Sequence, residues 1–148
     1  MKSRIKILLV EDDAVQAQWI KMQLRRAYGS EPEWISTESD FHAGMSKIVQ
    51  HPPNIVILDV MLSWAEASRS IPKQPDDVRQ EGMYRAGLRC QELLAKASAT
   101  CRVPVILYTV QDLKDLGSEI GDMPESVIYL PKEAEIEPLL EKIDSLVG

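Results

Sequence analysis

Glu11, Asp12 and Asp13 stand in a row directly after the apolar run Ile7-to-Val10, and a fourth acid, Asp59, ends the run Ile55-Val56-Ile57-Leu58. Thr109 follows Val103-to-Tyr108, and Lys132 follows Ser126-to-Leu130 across Pro131. Each polar group therefore comes at the C-terminal end of a stretch that reads as a strand, where open α/β sheets place their ligand chemistry. Were these strands parallel in one sheet, acids, a hydroxyl and an ammonium would meet at a single rim. Carboxylates gathered at one rim repel and cost stability unless a cation joins them, so cation binding is the first chemistry implied. Capping of the next helix, where negative charge is favoured at the N-terminus, accounts for one of the three leading acids but not for all three.

The elements that must carry these groups can be read from periodicity. Ile55-to-Leu58 is continuously apolar with three β-branched residues, as expected of a strand buried on both faces. Ile5-to-Val10 gives a first strand, and a helix follows from near Ala14, with Asp12 or Asp13 as its cap and Gly29 at its end. Its apolar stripe is Val15, Trp19, Ile20, Leu24 and Ala27. Glu33-to-Thr37 is a short strand. Ser39 or Asp40 is expected to cap a second helix carrying Phe41, Met45, Ile48 and Val49, which His51-Pro52-Pro53-Asn54 breaks. From Leu62 to Arg85 the pattern dissolves around Pro72, Pro75 and Gly82. Pro75-Asp76-Asp77 offers a helix start, and Ala86, Cys90, Leu93 and Ala97 supply a stripe to its end. A strand at Val103-to-Tyr108, short helical material after Asp112 and a strand at Ser126-to-Leu130 follow. The final helix carries Ile136, Leu139, Leu140, Ile143, Leu146 and Val147, with Pro138 tolerable in its first turn. Five strand–helix alternations predict a doubly wound, five-stranded parallel sheet in the order 2-1-3-4-5, a flavodoxin-like fold with an extended segment between the third strand and the third helix.

Length and charge narrow the function. The 148 residues fit one domain, 1–148, with 62–85 as an insertion within it. A net charge of −6 without a basic stripe argues against direct binding of nucleic acid. Cys90 and Cys101 are too few for a disulfide framework and are expected to be reduced, partly buried thiols. The first apolar run is cut short by acids, so it is no signal peptide, and nothing approaches a membrane span. A cytoplasmic protein is expected. His42 and His51 are expected on the solvated surface, and the insertion's four acidic and four basic residues as a solvated face.

Four motifs in order now carry a resemblance: Ile7-Leu8-Leu9-Val10-Glu11-Asp12-Asp13, Ile55-Val56-Ile57-Leu58-Asp59-Val60-Met61-Leu62, Pro104-Val105-Ile106-Leu107-Tyr108-Thr109 and Tyr129-Leu130-Pro131-Lys132. With them the sequence resembles the receiver domains of bacterial two-component response regulators along its whole length except 62–85. The resemblance implies a phosphorelay receiver that takes a phosphoryl group onto Asp59 from a histidine kinase or a histidine phosphotransfer protein, with Mg²⁺ or Mn²⁺ as cofactor. A carboxylate is a competent nucleophile toward phosphorus, and phosphoryl transfer needs mostly positioning and charge neutralisation. By the same resemblance Asp12 binds the metal directly and Glu11 acts through water. Asp59 and the backbone carbonyl of Met61 complete the protein's share. Lys132 pairs with the phosphoryl oxygens, Thr109 donates its hydroxyl to one of them, and Tyr129 is the switch aromatic. Such a receiver catalyses its own phosphorylation and dephosphorylation and is otherwise a signalling module, not an enzyme.

Three departures from the resemblance stand out. Glu133 follows Lys132 where a proline is usual, so a cis bond there is not expected. Val110 replaces a small residue after Thr109, and Ser63 replaces a customary proline where the insertion begins. The competing reading is a phosphorylation-independent interaction module on the same fold. A flavin carrier is disfavoured, because acids instead of a Ser/Thr/Gly-rich phosphate loop follow strand one. The chain ends one residue after the expected last helix, so a stand-alone receiver is expected. The insertion leaves three residues after Asp59 and contains Trp64, Ile71, Val78 and Met83, so it is expected to dock as a cover over the site.

Overall fold

Strands form where the apolar runs are, and three of the five, Ile7–Val10, Ile55–Leu58 and Val105–Thr109, are buried at every residue. The computed structural model describes residues 5–66, 71–116 and 123–147. It contains β1 (Ile7–Val10), β2 (Glu33–Ile35), β3 (Ile55–Leu58), β4 (Val105–Thr109) and β5 (Val127–Pro131). All pair in parallel in the order β2-β1-β3-β4-β5, as the alternation of elements requires. The register sets Val10 against Leu58, Leu58 against Leu107, and Thr109 against Pro131. The polar residues that follow these positions therefore emerge at one edge.

Alternate residues of each strand face opposite layers, the period of two that extended backbone imposes. Leu8, Val10, Val56, Leu58, Val105 and Leu107 share one core layer with Phe41, Ile48, Leu88 and Leu94. Ile7, Leu9, Ile55, Ile57 and Ile106 share the other with Ile20, Leu24, Leu139 and Ile143. The helices supplying these residues are α1 (Ala14–Tyr28) and α6 (Glu137–Val147) on one face, α2 (Glu38–Gln50) and α4 (Ala86–Lys96) on the other. Between β3 and α4 lie a short α3 (Asp76–Glu81) and a 3₁₀ turn, Met83–Arg85; α5 (Leu113–Leu116) follows β4. No helix among the described residues is long and apolar enough to cross a membrane.

Several local expectations need correction. Val15 is 81% exposed, since the buried stripe of α1 runs through Ala17, Ile20, Leu24 and Tyr28. Thr37 ends the second strand region by capping α2, accepting from the Asp40 N–H, so neither Ser39 nor Asp40 is the cap. The helix expected from Pro75 to Ala97 is two helices, because Gly82 takes φ 77° between them, a conformation that favours glycine. The helix expected as third is thus the fourth. Within the insertion, Val78 is buried and Trp64 half-buried, but Ile71 and Met83 are exposed; residues 67–70 lie outside the described ones. Cys90 is fully buried and Cys101 half-buried, and neither is bonded to another cysteine.

His42 is not a solvated surface residue either. Its ring meets that of Trp64 edge-on with centroids 5.4 Å apart, and its Nε2 lies 3.6 Å from Glu38 Oε2. Glu38 is itself buried. Arg89 on α4 donates to both its oxygens at 2.7 Å, and also to Glu81 Oε1 and the Gly82 carbonyl. This buried fork joins α2, α3 and α4, and the bonds to Glu38 hold the guanidinium above its ordinary basicity against the opposing effect of burial.

Candidate functional site

Backbone bonds between strand ends fix the rim before any side chain does. The Asp59 N–H donates to the Val10 carbonyl at 3.0 Å, and the Glu11 N–H to the Ile35 carbonyl at 3.1 Å. Trp34 Nε1 donates to the Glu11 carbonyl at 2.7 Å, and the Lys132 N–H to the Thr109 carbonyl at 2.9 Å. These bonds lock the tip of β1 to those of β2 and β3 and the tip of β5 to that of β4, and the ladder that sets Leu58 against Leu107 joins the two groups.

The three leading acids divide their work. Asp13 caps α1, its Oδ1 accepting from the Val15 and Gln16 N–H groups at 2.9 and 3.1 Å. That leaves Glu11 and Asp12 for the rim. With Asp59 they form a group whose ligand oxygens all lie within 4.8 Å of one another. Glu11 is 2% and Asp59 7% exposed, whereas Asp12 is half-buried. Burial, reinforced by the Asp59 charge, pushes the Glu11 carboxyl up to about 7, even though Lys132 and the Asp13 N–H pull it down. Three carboxylates this close, one of them reluctant to ionise, suit a hard divalent cation with an all-oxygen shell, such as Mg²⁺.

Lys132 reaches into the same space. Its Nζ donates to Asp59 Oδ2 at 2.8 Å, to Gln16 Oε1 at 2.7 Å and, by a very short contact, to Glu11 Oε1. Burial disfavours the ammonium, but the Asp59 and Glu11 carboxylates outweigh it and hold the group above its ordinary value. The Tyr108 ring lies beneath, with Nζ 6.0 Å from its centroid. Met61 follows in the loop after β3 and donates its backbone N–H to Asp59 Oδ1 at 3.3 Å.

Thr109 is the last fully buried residue of β4, inside the strand instead of after it. Its Oγ1 accepts from the Gln111 N–H at 3.3 Å. Tyr129, half-buried on β5, donates its hydroxyl to the Gln111 carbonyl at 2.7 Å. Gln111 thus joins the two residues that the resemblance marks as a switch. Val110 is 66% exposed and lines a shallow hollow beside Tyr108 and Lys132. All described peptide bonds are trans, the Lys132–Glu133 bond included.

Every residue singled out from the sequence is at this rim or beside it: Glu11, Asp12, Asp59, Met61, Thr109, Tyr129 and Lys132. Three others were missed. Gln16 lies on α1 one turn beyond the acids, and nothing in the pattern distinguishes it from a surface glutamine. Gln111 acts through its backbone, to which sequence is blind. Gly87, at the start of α4, packs where a Cβ would sit 2.2 Å from the Asp59 carbonyl oxygen and 2.6 Å from Val60 Cα. Its N–H donates to the Val60 carbonyl at 2.7 Å, and the Leu62 N–H donates to the Met83 carbonyl at 3.1 Å. Both ends of the insertion are therefore bolted to the loop that carries Asp59.

No protein-family model and no curated protein matches the chain. Solved structures do. A putative response regulator from Chloroflexus aurantiacus superposes with a TM-score of 0.69 at 19% identity, over 98% of each chain. The chemotaxis protein CheY4 of Vibrio cholerae gives 0.65 at 18% identity, over 97% of this chain and 99% of its own. A phosphorylated cyanobacterial phytochrome response regulator, RcpA, gives 0.66 at 18% identity, over 97% of this chain and 91% of its own. At these identities the likeness is one of fold.

Proposed function

We propose that this chain, which has the fold of response-regulator receiver domains, is a phosphorelay receiver. It accepts a phosphoryl group on Asp59 from the phosphohistidine of a histidine kinase or a histidine phosphotransfer protein, in the cytoplasm. The observation that supports this most is the setting of the Asp59 carboxylate, shielded at the rim between an acid pair and an ammonium 2.8 Å away. A carboxylate oxygen of Asp59 attacks phosphorus, the phosphorus–nitrogen bond breaks, and the donor imidazole leaves with the electron pair.

Glu11, Asp12 and Asp59 would hold Mg²⁺ or Mn²⁺, with the Met61 backbone carbonyl as a further oxygen. Held there, the cation would supply positive charge to offset repulsion between the carboxylates and the incoming phosphoryl oxygens. Lys132 already points at Asp59 and follows the phosphoryl group as it arrives, giving up part of its bond to the carboxylate. The Thr109 hydroxyl accepts from the Gln111 N–H and keeps its proton to donate to a phosphoryl oxygen. Movement of Thr109 toward that oxygen loosens Gln111, whose carbonyl holds the Tyr129 hydroxyl. Phosphorylation is thereby converted into a rearrangement of the β4–β5 surface, where a downstream protein would read it.

Intact-mass spectrometry after incubation with a small phosphodonor and Mg²⁺ tests the assignment. One phosphate is expected on the wild type and none on Asp59→Asn. An adduct that persists in the variant moves the site elsewhere. No adduct on the wild type favours a phosphorylation-independent interaction module.

A further inference from the structure

The first residues of the insertion are tied to the acidic rim on one side and to α2 on the other. The Ser63 N–H and Oγ both donate to Asp12 Oδ2, at 3.1 and 3.2 Å. On its other side the Ser63 carbonyl accepts from the Glu38 N–H at 3.0 Å, and the Trp64 carbonyl from the Ser39 N–H at 2.8 Å. These are first-turn amides of α2, groups that no intrahelical carbonyl can satisfy. Trp64 is held in turn by the His42 ring and by donation from its Nε1 to the Pro72 carbonyl at 2.8 Å. A proline at position 63, the residue the resemblance leads one to expect, has neither N–H nor hydroxyl and makes neither bond to Asp12.

We propose that Ser63 is a positioning residue for Asp12: its two donors fix the carboxylate's orientation, so that cation binding at the rim and docking of Ser63-Trp64 on α2 reinforce one another. The inference rests on the reading of Glu11, Asp12 and Asp59 as a divalent-cation site. Hydrogen bonds to a metal-ligating side chain fix its geometry, and their loss typically weakens metal binding about ten- to a hundredfold. Coupling of this kind is reciprocal, so whatever loosens Ser63-Trp64 weakens the cation, and the cation tightens Ser63-Trp64. The insertion then reports the state of the rim through bonds this sequence acquires by having serine at 63.

Calorimetric titration with Mg²⁺ alone, paired with amide hydrogen exchange, tests it without any phosphodonor. In the wild type Mg²⁺ is expected to slow exchange at the Ser63, Glu38 and Ser39 amides. Ser63→Ala, which keeps the N–H but loses Oγ, is expected to raise the Mg²⁺ Kd about tenfold, the lower end of that range. The same variant should blunt the added protection. Ser63→Thr, with both donors intact, is expected to behave as the wild type. Trp64→Phe touches no carboxylate but frees the Pro72 contact, and should raise the Kd by a smaller factor; it also serves if Ser63→Ala does not fold. Unchanged Mg²⁺ affinity in Ser63→Ala and Trp64→Phe, or unchanged exchange at the three amides in the wild type, overturns the role of Ser63 alone. Failure of the wild type to bind Mg²⁺ overturns the cation site and this inference with it.

Discussion

Gly87→Ala sets two effects of opposite sign against each other. In the interior of a helix, alanine for glycine ordinarily stabilises by up to about 1 kcal/mol, because glycine loses more backbone freedom on folding. Gly44, inside α2, is such a case: a Cβ there meets only Ile35 Cδ1, at an ordinary 3.8 Å. At Gly87 the added Cβ falls 2.2 Å from the Asp59 carbonyl oxygen, more than 1 Å inside the 3.4 Å of ordinary contact, with Asp59 C at 2.9 Å. Both obstacles are backbone, so no rotamer relieves them. Overpacking of this kind costs about 1–3 kcal/mol, and pushing α4 away also strains the Gly87–Val60 hydrogen bond, worth about 1 kcal/mol. The clash therefore wins, and a net loss of about 1–3 kcal/mol is expected, roughly 2–4 °C in Tm per kcal/mol for a chain of this size. Asp59 moves with the loop, and displacement of a reacting group by about 1 Å can cost a hundredfold in rate. Thermal and urea denaturation of Gly87→Ala and Gly44→Ala, with phosphate uptake followed by mass, separate the effects. Gly87→Ala is expected to fall in stability and label slowly; Gly44→Ala is expected to hold or gain stability and label normally. If Gly87→Ala gains stability as Gly44→Ala does, and labels at the wild-type rate, the close approach of α4 to the Asp59 loop is wrong.

Two further outcomes follow from contacts away from the rim. Arg89→Met leaves the buried Glu38 carboxylate without its cation, which should cost about 3–5 kcal/mol in urea denaturation, whereas Glu38→Leu with Arg89→Met should recover most of it; a single variant as stable as the wild type contradicts the fork. Tyr28 donates to Asp144 Oδ1 at 2.7 Å, and burial, then that bond and the Asp144 charge, raise its hydroxyl above the ordinary value of 10.0. Because the folded value is raised, the stabilisation is present below pH 10 and is lost as pH rises beyond it. Tyr28→Phe should be less stable than the wild type at pH 8 by about 1.5–3 kcal/mol, with the gap narrowing above pH 10; a gap independent of pH refutes the assignment.

What the sequence made legible is what repeats or what stands at the end of a run. Buried strands announce themselves by unbroken apolar stretches, so Ile55-to-Leu58 placed Asp59, and the alternation of elements placed its neighbours. Motif order then brought Glu11, Asp12, Thr109 and Lys132 to one edge, where the structure has them. What stayed hidden depends on backbone geometry or on partners distant in sequence. Gly87 faces Asp59 across the whole insertion, and no period links them. Gln111 holds Thr109 and Tyr129 by main-chain groups that every residue but proline has. Val15 continues an apolar stripe by spacing alone, yet it stands two residues before the buried Ala17, which turns it to the opposite face of α1. Thr37 was read as strand because threonine favours extended backbone; that same extended conformation, φ −138° and ψ 160°, is what a cap requires.

A phosphorylated Asp59 is an acyl phosphate, and the chemistry of that group allows the residue to be marked. Borohydride reduces an acyl phosphate at its carbonyl carbon, releasing phosphate and leaving an alcohol where the carboxylate was. Wild-type protein incubated with a small phosphodonor and Mg²⁺, reduced, digested and fragmented in the mass spectrometer should carry homoserine at position 59, and none when Mg²⁺ is chelated beforehand. Homoserine at Asp12, Asp13 or any other aspartate, or a phosphate that resists reduction altogether, would contradict the assignment of Asp59.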